Sequence, residues 1–149
     1  MTIKPVALGA DHGGYALKEA VKQHLDEKGV PYTDFGTHGE ASVDYPDIAV
    51  PPCEAVLAGE CACALLFCGT GVGISMAANK INGIRACCCS DVFSARYTRA
   101  HNDANALCMG GRVVGAGLAC ELVDAFLGTS FEGGRHADRV AKISALEQR

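Results

Sequence analysis

Three glycines alternate behind a cysteine in Cys68-Gly69-Thr70-Gly71-Val72-Gly73-Ile74-Ser75, directly after the apolar run Ala64-Leu65-Leu66-Phe67. Glycine leaves backbone N–H groups uncovered, and where such a turn opens a helix those groups form a nest that holds an anion. The same electropositive end favours the thiolate of an adjacent cysteine. A base beside such a nest is what abstraction of a proton alpha to a carbonyl requires: the base removes the proton and the nest holds the enediolate charge. Two other readings fit the same residues. One is a tight strand-to-helix turn with a buried Cys. The other is a dinucleotide-binding turn, with Asp91 about twenty residues on as the ribose-binding acid. Against the latter, the third glycine comes early, the motif follows the third strand instead of the first, and the chain is too short to add a substrate domain.

Such a turn must be held by a scaffold, and the hydropathy pattern supplies one. Short apolar runs at 3–9, 31–35, 62–68, 84–89 and 106–109 alternate with helix-period segments, the pattern of βαβ units. Helices are expected after Gly14 to Gly29, from Tyr45-Pro46-Asp47 to about Ala58, after the Gly-rich turn to about Lys80, and from an N-cap at Asp91 to about His101. Two more follow, at 117–126 with Leu118, Leu122, Val123 and Phe126 facing the core, and at 135–146 with Val140, Ile143 and Leu146 in a stripe. The fold class is α/β: a single three-layer α/β/α domain, residues 1–149, with a five-stranded parallel Rossmann-like sheet. In open sheets of this kind ligands bind at the carboxyl ends of the strands. There the sequence places Gly9-Ala10-Asp11-His12-Gly13-Gly14, the Cys68 turn, Ser90-Asp91 and Gly110-Gly111-Arg112.

The 149 residues give room for one domain with a proper core. A hydrophobic fraction of 49% with mean hydropathy +0.15 describes a globular chain, and no apolar run approaches the ~20 residues of a bilayer span. Met1-Thr2-Ile3-Lys4-Pro5 lacks a signal-peptide layout, so a cytoplasmic protein is expected. The net charge of −4, with acids and bases interspersed, argues against nucleic acid or an anionic membrane as partner. Nine cysteines lie mostly inside apolar runs and read as reduced core thiols. Cys61-x-Cys63 and the Cys87–Cys89 triplet lack zinc-knuckle spacing and a following His pair, so no metal is expected.

Five tracts in order, namely Gly9-Ala10-Asp11-His12-Gly13-Gly14, Asp44-Tyr45-Pro46-Asp47, Cys68-Gly69-Thr70-Gly71-Val72-Gly73, His101-Asn102-Asp103-Ala104-Asn105 and Gly110-Gly111-Arg112, resemble type B ribose-5-phosphate isomerase. The wider family includes galactose-6-phosphate and allose-6-phosphate isomerases. The resemblance spans the chain from the first strand to the last helix. It implies an aldose–ketose isomerase acting on ribose 5-phosphate and ribulose 5-phosphate, in the non-oxidative pentose phosphate pathway, with neither metal nor organic cofactor. It makes Cys68 the base between C1 and C2, with Thr70 assisting at the hydroxyls and the amides of Gly69, Thr70, Gly71, Val72 and Gly73 stabilising the enediolate. Ring opening falls to His101, whose unperturbed pKa of ~6.5 suits the task, partnered by Asp11; His101 also reads as a helix C-terminal His on the dipole. By the same resemblance His12, Arg112, Arg135 and Arg139 are the phosphate ligands and Asn102 the sugar-binding amide. Tyr45 borders the sugar. Arg135 and Arg139, four apart, share a helix face; taken singly, each also reads as a solvated surface charge.

The resemblance further implies a homodimer, or a dimer of dimers, with sites formed between subunits and the His101 and Arg112 segments facing the other chain's Cys68. His24, His38 and His136 read as bystanders. Two rivals stand beside the pentose reading. A hexose-6-phosphate isomerase uses the same scaffold, and a non-catalytic phosphosugar-binding module needs neither Cys68 nor His101.

Overall fold

The structure, a computed structural model, describes residues 3–149. Strands β1 (Val6–Ala10), β2 (Tyr32–Asp34), β3 (Ala64–Cys68), β4 (Ala86–Cys88) and β5 (Ala106–Gly110) form one all-parallel sheet in the order β2-β1-β3-β5-β4. Helices α1 (Tyr15–Lys28), α2 (Tyr45–Leu57), α3 (Val72–Asn79), α4 (Val92–Asn102), α5 (Ala116–Leu127) and α6 (Arg135–Ala145) cover it, giving the α/β/α layers expected.

Alternation along the central strands sorts the core into two layers. Leu8, Leu65, Phe67, Leu107 and Met109 face α1, α4 and α5, where Val21, Leu25, Ala95, Leu122 and Phe126 meet them. Ala7, Leu66, Cys68 and Cys108 face α2 and α3 and pack on Ala49, Cys53, Ile74 and Ala78. Smaller residues line this second face, so its helices come close. A Cβ at Gly9 would sit 3.0 Å from Pro52 of α2. The Pro51-Pro52 pair does not break α2, which runs through both.

Boundaries shift where edges are exposed. β1 starts at Val6, not Ile3, and the edge strand β4 is shorter than the apolar run suggests. On α5 the buried stripe is Ala119, Leu122, Val123 and Phe126, which turns Leu118 to the flank. The Val140–Ile143 stripe of α6 has no buried member: this helix lies against α4 rather than in the core.

Among the described residues, one charged group is wholly buried. Lys18 on α1 is 0% exposed, its Nζ donating to both Asp34 oxygens at 2.7 and 2.8 Å and to the Thr37 carbonyl at 2.7 Å. Asp34 also accepts from Lys22 Nζ at 2.8 Å and from the Gly36 N–H at 2.9 Å, so the pair pins the loop leaving β2 toward Tyr45. Burial alone pushes Asp34 up, but the two ammoniums and the Gly36 N–H outweigh it and hold the carboxyl below its usual range. Lys18→Met removes one partner of a buried pair and is expected to lower stability by about 3 kcal/mol, read from urea denaturation. A depressed carboxylate stabilises above its unfolded-state pKa, 3.8, and stops doing so as pH falls through its lower folded-state value, so the gap between wild type and Lys18→Met closes only below that pH.

Candidate active site

Connections leave β1 and β3 toward opposite sides of the sheet, and the crevice between their carboxyl ends is the switch point where such folds bind ligands. The loops after both strands meet there. The Asp11 N–H donates to the Phe67 carbonyl at 3.1 Å, and Asp11 Oδ1 accepts from the Gly13 and Gly14 N–H groups at 2.9 and 3.1 Å. Gly13 lies against Gly69: a Cβ there would be 3.1 Å from the Gly69 nitrogen. Gly14 is tighter still, with Phe67 atoms 2.4–2.6 Å from such a Cβ. Glycine at both positions lets the two loops close onto each other.

Cys68 ends β3 buried, and its Sγ accepts the Gly71 N–H at 3.1 Å. Gly71 has φ +81°, the left-handed turn that glycine adopts freely, and opens α3. Its space is closed as well, since a Cβ would meet Met109 at 2.8 Å and Cys88 Sγ at 3.0 Å. Thr70 Oγ1 accepts from the Val72 N–H at 3.2 Å. The Gly69, Thr70, Gly73 and Ile74 N–H groups take no partner among the described residues, leaving donors free at the head of α3. β5 braces the turn from the other side, the Gly111 and Arg112 N–H groups donating to the Cys68 and Gly69 carbonyls at 2.8 and 3.0 Å.

Around this nest stand Arg112, His12 and Tyr45. The Arg112 guanidinium stacks over Gly69, 3.3 Å from where a Cβ would be. It therefore lies beside Cys68 of its own chain, unlike the expectation that its segment faces another subunit. His12 Nδ1 accepts from the Val43 N–H at 3.3 Å, and the Tyr45 ring lies on Gly73. Asp11, His12 and Tyr45 line a cavity of about 550 Å³ with Ser42, Val43 and Asp44, within the range that holds small ligands.

His101, Asn102, Arg135 and Arg139 are elsewhere. α4 starts at the carboxyl rim behind β4 and runs back antiparallel, its eleven residues spanning about 16 Å. It ends at the amino rim, where Asp103 closes it in the left-handed conformation (φ 48°). Arg85, just before β4, donates to the Asn102 and Asp103 carbonyls at 3.1 and 2.7 Å, and Arg99 Nη1 bonds Asp103 Oδ1 at 3.0 Å. Asn105 accepts from the Arg85 N–H at 2.7 Å and donates to the Gly83 carbonyl at 2.9 Å. The tract 101–105 thus fixes the helix end that carries His101. Loop 128–134 then returns over it, the Glu132 N–H donating to the Ala100 carbonyl at 2.9 Å, and α6 brings Arg135 and Arg139 alongside. The His101 ring stacks on that of His136, centroids 4.0 Å apart. His136 is therefore no bystander to His101, a contact invisible in sequence because it depends on α6 folding back onto α4.

The nine thiols divide by environment. Burial pushes Cys53 up to about 11 and Cys63 up to about 12, and raises Cys108 well above its ordinary value, so these are inert core groups. Cys88 departs from the core expectation. It is exposed, on the sheet face opposite Cys87 and Cys89, with Sγ 3.7 Å from the Thr70 carbonyl. Strand alternation through the triplet was the available signal. Asp91 caps α4, its Oδ1 accepting the Ser94 N–H at 2.7 Å, so a helix cap accounts for its position after β4, and β4 is separated from β3 by β5 in the sheet.

A family model described as Ribose/Galactose Isomerase matches residues 6–143. The chain is 51% identical over 147 residues to ribose-5-phosphate isomerase B of Escherichia coli, covering 99% of each. It is 40% identical to D-erythrulose-4-phosphate isomerase of Pectobacterium atrosepticum, over 95% of this chain and 94% of that one. Among solved structures, ribose-5-phosphate isomerase B of Clostridium thermocellum superposes with TM-score 0.95 at 51% identity, covering 97% of both chains. The type B enzyme of Trypanosoma brucei does so with TM-score 0.94 at 40% identity, over 98% of this chain and all of that one. A Cys-ended strand opening on a free nest, on a scaffold shared from end to end with these enzymes, assigns the chain to the ribose/galactose isomerase family of sugar-phosphate isomerases.

Proposed function

We propose that this chain interconverts ribose 5-phosphate and ribulose 5-phosphate through an enediolate, with Cys68 as the base. The observation that carries the reading is the Cys68 thiol seated against the Gly71 N–H, beside backbone donors that no described residue uses. With the open-chain aldose laid across the nest beside Asp11, the Cys68 thiolate takes the proton from C2 and the free N–H groups hold the charge that moves onto O1. Transfer of the O2 proton to O1, at the hydroxyls where Thr70 assists, and return of the carbon-bound proton to C1 give the ketose. Thr70 stands at the hydroxyls, and Asp11, its carboxylate already oriented by Gly13 and Gly14, lies where the ring oxygen or anomeric hydroxyl enters.

Two half-sites in one chain support a homodimer. The nest, Asp11, His12, Tyr45 and Arg112 occupy the carboxyl rim, whereas His101, Asn102, Arg135 and Arg139 occupy the amino rim. No side-chain motion closes a gap of about 16 Å, but a second copy presents its amino rim to the first copy's nest. Apolar side chains flank the nest for such a partner: Val72 and Met76 on α3, Val113 beside Arg112 and Phe93 on α4 are all exposed, Phe93 at 68%. In that arrangement His101 opens the furanose and Arg135 and Arg139 clamp the phosphate with His12 and Arg112. Nine thiols with no disulfide among the described residues suit a reducing cytoplasm.

Substrate class is tested by assaying the purified chain side by side on ribose, allose and galactose phosphates and on erythrulose 4-phosphate. The expected result is a kcat/KM for ribose 5-phosphate at least about tenfold above the others, the discrimination that one carbon unit supports. Faster turnover of a hexose or tetrose phosphate would move the assignment within the family. No turnover on any of them would leave a binding module.

A further inference from the structure

Among the described residues, one group of metal-ligating side chains converges at the amino rim, away from the chain's own Cys68 nest: His101, Glu132 and His136. One donor atom from each lies within 4.8 Å of the others. His101 Nε2 is 3.3 Å from Glu132 Oε2, and His136 Nε2 is 3.9 Å from the same oxygen. Ligands bound to one zinc ion at about 2.0–2.1 Å in a tetrahedron stand ~3.3 Å apart. One edge of that tetrahedron is already present and a second needs only a few tenths of an ångström. We propose that His101, Glu132 and His136 form a binding site for a borderline divalent transition-metal ion such as Zn²⁺, and that the ion, once bound, blocks the isomerase.

The donor set is two imidazoles and a carboxylate, which selects zinc, cobalt, nickel or copper over calcium and magnesium. Three protein ligands leave the fourth position to water. Each ligand is anchored. His101 sits in the last turn of α4, Glu132 is tied by its N–H to the Ala100 carbonyl, and His136 stands in the first turn of α6 with 11% of its side chain exposed. The two rings now stack within 9° of parallel, and binding requires them to splay so that both lone pairs aim at one point. The charges facing the site from the elements around it are Glu132 itself and, on α6, Arg135 and Arg139. The arginines limit affinity and make the site one for a strongly coordinating ion.

The metal takes the His101 lone pair that ring opening needs. Inhibition, unlike binding, rests on the ring-opening role proposed above. The test uses the full-length, untagged, chelator-stripped chain and its His136→Gln and Glu132→Gln variants. Co²⁺ serves as spectroscopic probe and Zn²⁺ as titrant by calorimetry. Wild type is expected to give a tetrahedral Co²⁺ spectrum without a thiolate charge-transfer band, which excludes the nine cysteines as ligands. Each variant should bind at least about tenfold more weakly. His136→Gln should keep metal-free turnover of ribose 5-phosphate while losing Zn²⁺ inhibition. Unchanged affinity in both variants, or a thiolate band in place of the nitrogen–oxygen spectrum, overturns the site. Tight binding lost in both variants but without inhibition of wild type upholds the site and removes His101 from ring opening instead.

Discussion

Cys68→Ala is expected to reduce isomerisation by about 10³–10⁴-fold, in both directions, while ribose 5-phosphate binding changes only a few-fold. The asymmetry follows from geometry. Sγ sits at the strand end against the Gly71 N–H, where a reacting carbon enters, and the basic groups for the phosphate lie on other elements. Cys68→Ser should also be severely impaired, since a hydroxyl is far less acidic than a thiol. Near-normal turnover of Cys68→Ala would remove the thiol from the mechanism. Alkylation should inactivate through the same residue. Its one exposed competitor near the nest is Cys88, so peptide mapping is best done in a Cys88→Ser background. Labelling of Cys87 or Cys108 at the moment of inactivation would count against the assignment. The same variant tests the shared site. When inactive Cys68→Ala and His101→Asn chains exchange subunits, half the dimers carry one site with both residues intact, so about a quarter of wild-type activity returns. If both residues served one chain's own site, nothing would return.

The scaffold was legible because each βαβ unit announces itself: an apolar run, a glycine or capping residue, then a helix-period stripe. Asp91 shows how local such signals are, since an Asx cap at 91 needs only the Ser94 N–H to confirm it. The nest was legible for the same reason, its glycines and Cys68 being contiguous. What sequence left open depends on which elements meet in space. Leu118 fits a helical stripe, but the sheet's position decides that Ala119 and not Leu118 is its edge. Arg112 stands beside its own Gly69 because β5 pairs with β3 residue for residue, Cys68 opposite Gly110. His136 meets His101 only because loop 128–134 crosses the end of α4. Nothing in the local pattern marks Lys18 for burial, yet its ammonium is enclosed with Asp34. In each case the local pattern states which face a residue occupies, and the tertiary fold states what that face meets.

Replacing His101 separates ring opening from proton transfer. Ribose 5-phosphate closes to a furanose through O4, whereas ribulose 5-phosphate, its O5 carrying the phosphate, stays open. The natural aldose therefore needs an acid–base pair at the ring before Cys68 can act, and the ketose does not. His101, on the amino rim of the partner in the proposed dimer, would meet the substrate from the side opposite the nest and supply that pair with Asp11. His101→Asn should then lose net conversion by about 10²–10⁴-fold, the range of general acid–base assistance. Steady-state rates in the two directions cannot resolve the step, because the equilibrium constant ties their kcat/KM ratio. Exchange at C1 of ribulose 5-phosphate can, since it needs only the enediolate. In heavy water, NMR should show His101→Asn still washing deuterium into C1 at close to the wild-type rate while aldose fails to accumulate. Cys68→Ala should show neither. If exchange and net conversion fell together in His101→Asn, the imidazole would be acting on the carbon-bound proton, and the division of labour between the two rims would have to be redrawn around a base supplied by both subunits.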